Sequence, residues 1–425
     1  MKSKCLCRRL LVLILGMTFS LSAIASVSVF AQARRQPPAS DQKKNKRPPE
    51  GGEKTDEQKQ ETLPPDLVPG KPQEAEKLTV TTNVVNVDAV VYNKATGQPS
   101  LNLKKDNFAI FVDGVKKDIT NFATPEAPIT VTLVVEYSKT AERLGYYGSS
   151  GMEPGQFEVI RPMAMFLSRF ITREDYVSVI AFDLRPTPLT DFTNDPNRIQ
   201  QVISLLLRNS PAFSDSNLFD ALKLTLIGGR ADSVVLEDSK SEKTEYSGMV
   251  AVPGGRRKAV LVVASGLDTF SKINMDQTRK IVQNAGIPLY IVGTGQMFVK
   301  KYGDMMDPGR GSNIGGIPID RMTFLQADNT MKTFAKESGG AFYPVTFEGE
   351  LPAVLGSINA LLRSQYSLGF KPDDVRDGKS HKIVVKVDVD GDGQYDDKAY
   401  VVKAREVYNA PKPDAPSSKA GGGKQ

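Results

Sequence analysis

The chain has 425 residues, 40% hydrophobic and 24% charged, with a formal charge of +6 and two cysteines. That length accommodates two or three globular units. Cys5 and Cys7 both precede the first apolar stretch, so a chain cleaved after that stretch keeps no thiol, which excludes a disulfide framework and thiol catalysis. The same cleavage removes Lys2, Lys4, Arg8 and Arg9 and no acid, leaving +2, too weak a balance to argue for nucleic acid or an anionic membrane surface.

Residues 1–33 have the layout of a secretory signal: basic MKSKCLCRR, an apolar run from Leu10 to Phe30, then the small-x-small site Ala31-Gln32-Ala33. The expectation is export to the periplasm or the extracellular space, with no stable membrane span after cleavage. The alternative is an uncleaved anchor, since about 20 apolar residues can cross a bilayer. Residues 34–78 are Pro, Lys, Glu and Gln with almost no apolar content and read as a disordered linker; residues 408–425 read the same way.

Residues 79–125 alternate apolar and polar positions (TVTTNVVNVDAVVYN, FAIFVDGVKKDITNF), with Asp113-Gly114 as a hairpin signal. They form an N-terminal β module. Residues 126–350 change character. Apolar runs at 130–137, 175–183, 258–265, 287–295 and 341–345 alternate with helical periodicity, as in Ile160, Met163, Phe166 and Leu167, in Ile199, Val202, Ile203 and Leu206, and in Leu325, Met331 and Phe334. The fold class is α/β: continuous apolar strands separated by helices predict a mostly parallel sheet with helices on both faces. Ligands of such sheets sit beyond the strand carboxyl ends, where chain order reverses. The polar strand tails are therefore the candidates: Glu136-x-Ser138-x-Thr140, Asp183, Ser265-Gly266 and Gly293-Thr294-Gly295. Two insertions stand out, 234–256 and 296–319. Residues 351–407 hold a helix and a β-hairpin, predicted to pair with 79–125 so that the α/β domain is inserted in one β-sandwich.

VDVDGDGQYDDKAY places Asp388, Asp390, Asp392, Gln394 and Asp396 at positions 1, 3, 5, 7 and 9 of a calcium-type loop, with Gly393 at the sharp turn. Position 12 is Ala399, so the bidentate acid is missing. The competing reading is an acidic hairpin turn. His381 is the only histidine and is expected to face solvent. No Ser-His-Asp set, HExxH motif, Cys/His zinc cluster or phosphate loop is present, and a non-enzymatic protein is expected.

The phrases LNLKKDNFAIFVDGVKKDITNF, IAFD with LTDFTNDP, NLFDAL, and LRSQYSLGFKPDDVRDGKSHKIVVKV carry a resemblance. Over roughly residues 79–403 the chain resembles the von Willebrand factor type A (VWFA-related) proteins common in Acidobacteria. The resemblance implies a VWA/Rossmann-like sheet with a metal-ion-dependent adhesion site (MIDAS) at its strand ends. On that pattern the positions are Glu136, Ser138, Thr140, Ser216 and Ser265. Every position carries an oxygen, but Glu136 stands where the family has Asp, and Ser265 removes a second acid. Asp268 or Asp215 could replace that charge. Two states are open: a weak Mg²⁺ or Mn²⁺ site taking an acidic group of an unknown protein partner, or a pocket closed by hydrogen bonds among Glu136, Ser138, Ser216 and Ser265. The function implied is adhesion or protein binding through a degenerate MIDAS, with the partner surface on loops 139–156, 211–217 and 265–273. The alternative is a metal-independent scaffold of a cell-envelope assembly.

Overall fold

The computed structural model describes residues 84–141, 159–170, 174–209, 211–230, 245–253, 256–303, 313–314, 317–318, 320–372 and 377–410. The predicted leader and linker, nearly all of the tail, most of loop 139–156 and much of both insertions lie outside the described residues.

Four strands come first: β1 (Val85–Asn93), β2 (Phe108–Val112), β3 (Val115–Lys117) and β4 (Ile119–Ala123). β2 and β3 pair antiparallel across Asp113 and Gly114, whose φ angles of 48° and 86° are those of a tight hairpin turn. The α/β domain then runs β5 (Ile129–Glu136), α1 (Ile160–Phe170), β6 (Tyr176–Phe182), β7 (Pro186–Thr193), α2 (Pro196–Arg208) and α3 (Leu218–Ile227). Next come β8 (Gly229–Arg230), β9 (Glu245–Tyr246), β10 (Arg257–Ala264), α4 (Met275–Ala285), β11 (Leu289–Gly293) and α5 (Gly295–Tyr302). A small pair, β12 (Asn313–Ile314) and β13 (Ile317–Pro318), precedes α6 (Arg321–Ser338), β14 (Ala341–Pro344) and α7 (Leu351–Leu362). The last strands are β15 (Tyr366–Phe370), β16 (Ser380–Val387), β17 (Tyr400–Ala404) and β18 (Val407–Asn409).

The central sheet has six strands in the order β14-β11-β10-β5-β6-β7, parallel except for β7. All eight residues of β5 are buried, because helices cover both faces and each strand alternates between them. Val131, Leu133 and Val135 pack with α1, α2 and α7; Val134 packs with α3, α4 and the far end of α6. The chain moves from β5 outward to β6, then returns to β10 on β5's other side. The order therefore reverses between β5 and β10, and the crevice it opens lies beyond Glu136 and Ala264.

The flanks build two further four-stranded sheets, β17-β1-β15-β4 and β18-β16-β2-β3. Their inner faces share one core that includes Val87, Val91, Ile110, Tyr366, Phe370 and Ile383. Each sheet mixes strands from both flanks, which is why neither flank looks complete alone. Three expectations need correction. The 351–407 hairpin does not form: β16 pairs with β2 and β18, β17 pairs with β1, and the acidic segment arches between two sheets. Helix α7 contributes Leu351, Leu355, Ile358 and Leu362 to the α/β core, so the change of domain falls after it, not at 350. His381 does not face solvent: its side chain is 15% exposed, bonds Asp113 Oδ2 at 2.7 Å and Asp377 Oδ1 at 3.3 Å, and stacks on Tyr408. The hydrogen bond to Asp113 is the first cause holding its pKa above the ordinary value.

Two arginines tie the sandwich to the α/β domain. Arg257, fully buried, donates from Nε and Nη2 to the Ala127 carbonyl at 2.9 and 2.7 Å, and from Nη1 to the carbonyls of Leu362 and Gln365. Arg405, 5% exposed, lies against the carboxyl end of α4, where a cation complements the helix dipole. A Cβ added at Gly286 would lie 2.0 Å from Arg405 Nη1, so glycine serves there both for its φ of +60° and for the space it leaves.

Candidate functional site at the strand ends

Glu136 ends β5, and Ser265 follows β10 directly. The parallel register that sets Val135 beside Val263 brings them together. Glu136 Oε2 accepts from the Ser265 N–H at 2.7 Å and from Ser265 Oγ at 2.8 Å. Its other oxygen accepts from Ser138 Oγ at 3.3 Å, and Ser138 Oγ in turn accepts from the Ala141 N–H at 3.0 Å. Glu136, Ser138 and Ser265 are all 0% exposed. Burial pushes the Glu136 carboxyl above its ordinary range, against the bonds from Ser265 and Ser138 that favour the ionised form. The extra methylene of glutamate thus carries the carboxylate across to β10 and into contact with protein donors.

The other two hydroxyls turn away. Thr140 Oγ1 donates to the Ser214 carbonyl at 2.6 Å, and Ser216 Oγ to the Leu267 carbonyl at 2.7 Å. The expectation that Ser216 joins the Glu136 bonds is corrected: it staples loop 211–217 to loop 265–273 instead. The Ser216 N–H donates to Thr269 Oγ1 at 2.9 Å, while the N–H groups of Thr269 and Phe270 donate to its carbonyl at 2.8 and 3.2 Å. Asp268 does not supply the missing charge either. Its Oδ1 accepts from Ser271 Oγ at 2.6 Å and from the Phe219 N–H at 3.3 Å, at the start of α3, and burial raises its pKa.

Around this closed centre two large aromatic side chains stand open beside a groove with more basic than acidic residues. Phe213 and Phe270, one on each stapled loop, are 42% and 54% exposed. A shallow groove beside Phe270 is lined by Arg185, Lys223, Arg230, Lys272 and Asp220.

In the acidic arch, Asp388, Asp390 and Asp392 each offer a carboxylate oxygen, and these lie within 4.8 Å of one another. Asp388 accepts from the N–H groups of Gly391 and Gly393 at 2.7 and 2.8 Å. The Gln394 N–H donates to Asp392 Oδ1 at 2.7 Å. Asp396 turns to the base of the arch and accepts from the Val389 N–H at 2.7 Å, so of the four predicted aspartate ligands the structure brings together three. Beside the arch, Lys386 Nζ lies 2.7 Å from Asp397 Oδ2, and Lys94 Nζ donates to the Asp397 carbonyl at 2.6 Å.

Sequence reasoning missed Tyr246. It lies in the 234–256 insertion yet is 2% exposed, and its hydroxyl meets Ser178 Oγ at 2.8 Å and Thr132 Oγ1 at 3.4 Å across β6 and β5. An aromatic residue inside a polar insertion, opposite strands carrying Thr and Ser at buried positions, was the available signal.

No family model matches the chain, and no curated protein matches it. Several solved structures are similar in part. BatB from Bacteroides thetaiotaomicron is 14% identical, covering 56% of this chain and 100% of that one, with a TM-score of 0.34. The vWF domain of the type V pili tip protein Mfa5 from Porphyromonas gingivalis is 12% identical over 55% of this chain and 94% of that one, TM-score 0.35. Proximal thread matrix protein 1 from the mussel byssus, with a zinc-occupied MIDAS motif, is 10% identical over 62% and 50%, TM-score 0.35. Likeness this low carries no function across; the architecture rests on this chain's own strand order and register.

Proposed function

We propose that the chain is an exported, non-enzymatic binding protein that meets a protein partner at the strand-end face of its α/β domain without a bridging metal. The observation that carries this reading is the enclosure of Glu136. A Mg²⁺ or Mn²⁺ ion needs about six oxygens with one position open to the partner. Here both carboxylate oxygens are engaged by protein donors, and Ser216 and Thr140 donate to carbonyls elsewhere. The contact residues are then Phe213 and Phe270, large apolar side chains held in the open by stapled loops. Export rests on the leader pattern of residues 1–33. Among the described residues, no helix is long and apolar enough to cross a membrane.

A double variant, Phe213→Ser with Phe270→Ser, tests this. The immobilised protein is exposed to an extract of its source cells in EDTA. The expected result is a retained protein that the double variant loses. Retention that needs Mg²⁺ or Mn²⁺ would restore the bridged site. Retention by the double variant would favour the scaffold reading, with recognition through the sandwich or the insertions.

A second, structural role is favoured by the convergence of Asp388, Asp390 and Asp392: Ca²⁺ pinning the arch between the two sheets. Calcium at a hundred times its dissociation constant is expected to stabilise the fold by about 2.7 kcal/mol, raising the melting midpoint by a few degrees. Asp390→Ala should abolish that rise. An equal rise in the variant would assign the aspartates to turn formation only.

A further inference from the structure

A cavity of about 370 Å³ lies where β1, β4, β15 and β18 of the sandwich face α4 and β10. Its volume is within the range of small-molecule sites. Two buried polar atoms on residues that line it, Asp88 Oδ1 and Arg405 Nε, have no hydrogen-bond partner at full bonding geometry among the described residues, although the Ser367 and Gln365 side chains lie near enough to the Asp88 carboxyl to lower its pKa against the burial that raises it to about 6. A buried polar atom left unpaired is costly, so two on one cavity call for a shared explanation. No ion pair joins Asp88 to Arg405, although both face the same space. Lys258 also lines it; its Nζ donates to the Val252 carbonyl at 2.5 Å and keeps further donors. Arg256 adds positive charge, but its own bonds go to Thr130 and Glu174 and its guanidinium lies 4.7 Å from the Tyr176 ring centre. The lining thus offers two cations, Arg405 and Lys258, against one carboxylate, with Arg256 adding its field from behind and Ser367 and Asn121 among the neutral hydrogen-bonding groups. Water could partner the two atoms but would leave the positive excess unmatched.

We propose that this cavity binds a small carboxylic acid that also carries a hydroxyl or ammonium donor. The ligand's carboxylate faces Arg405 and Lys258, and its donor group faces Asp88 Oδ1. Charge excess and the under-satisfied acceptor together select this class: a simple anion leaves Asp88 Oδ1 without a well-formed hydrogen bond, and a neutral polyol leaves the cations unmatched.

The test uses the full chain, with glucuronate as a hydroxy acid and glutamate as an amino acid. Acetate, which lacks the donor, and glucose, which lacks the carboxylate, serve as controls at matched ionic strength. Titration calorimetry should show saturable binding of glucuronate or glutamate, which one naming the donor, and none of the controls. Lys258→Met and Asp88→Asn should each weaken it by about tenfold, the loss of one charge-assisted bond. Arg405 is left intact because it also packs against Gly286. Absence of binding by both probes, binding by acetate of equal strength, or affinity unchanged in both variants would overturn the proposal.

Discussion

Glu136→Ala is expected to lower the unfolding free energy by about 3 kcal/mol, through the loss of buried hydrogen bonds and the cavity left behind. The substitution strands the Ser265 N–H and leaves the Ser138 and Ser265 hydroxyls without their acceptor in a fully buried site. Glu136→Gln keeps the volume and one acceptor, and should be far milder. The two variants also differ in pH response. Burial places the folded-state pKa of Glu136 above its unfolded value of 4.5. The stability linked to its protonation is fully present below pH 4.5 and is lost as the pH rises through the folded pKa. Denaturant titrations across that window should show the wild type losing stability relative to Glu136→Gln as the pH rises. Parallel profiles would mean that the carboxyl is not the titrating group.

Arg257→Met should cost more, about 3–5 kcal/mol, as expected when one member of a buried charged network is removed. The guanidinium satisfies the carbonyls of Ala127, Leu362 and Gln365 together, at the point where the chain enters and leaves the α/β domain. Its charge is already strained by burial, which lowers its pKa to about 10. Methionine retains much of the volume and none of the donors. Urea unfolding should therefore show a lower midpoint with loss of stability in both parts, since the arginine joins them. An unchanged midpoint would mean that α7 and the sandwich are held by apolar packing alone.

The parallel strands were legible because burial on both faces leaves runs dominated by apolar and β-branched residues, as in ITVTLVVE and RKAVLVVA. β7 was not legible. PTPLTDFT carries two prolines and half-exposed positions, which an edge strand tolerates and a local reading discounts. The pairing of β16 with β2 rather than β17 was equally hidden. Both options satisfy local propensity, and only the shared core of Ile110, Ile383 and Phe370 decides between them. At the strand ends, the meeting of Glu136 with Ser265 followed from parallel register and could be anticipated. The direction of the Ser216 and Thr140 hydroxyls could not, because each depends on which carbonyl the facing loop presents.

The most direct test of a metal-free strand-end face is the melting midpoint of the wild type and Glu136→Gln in Mg²⁺, Mn²⁺ and EDTA. The expected result is no Mg²⁺- or Mn²⁺-dependent rise that Glu136→Gln removes. A saturable Mn²⁺ rise in the wild type, absent from Glu136→Gln, would show that Glu136 leaves its serine partners to bind a cation, and would contradict the closed site.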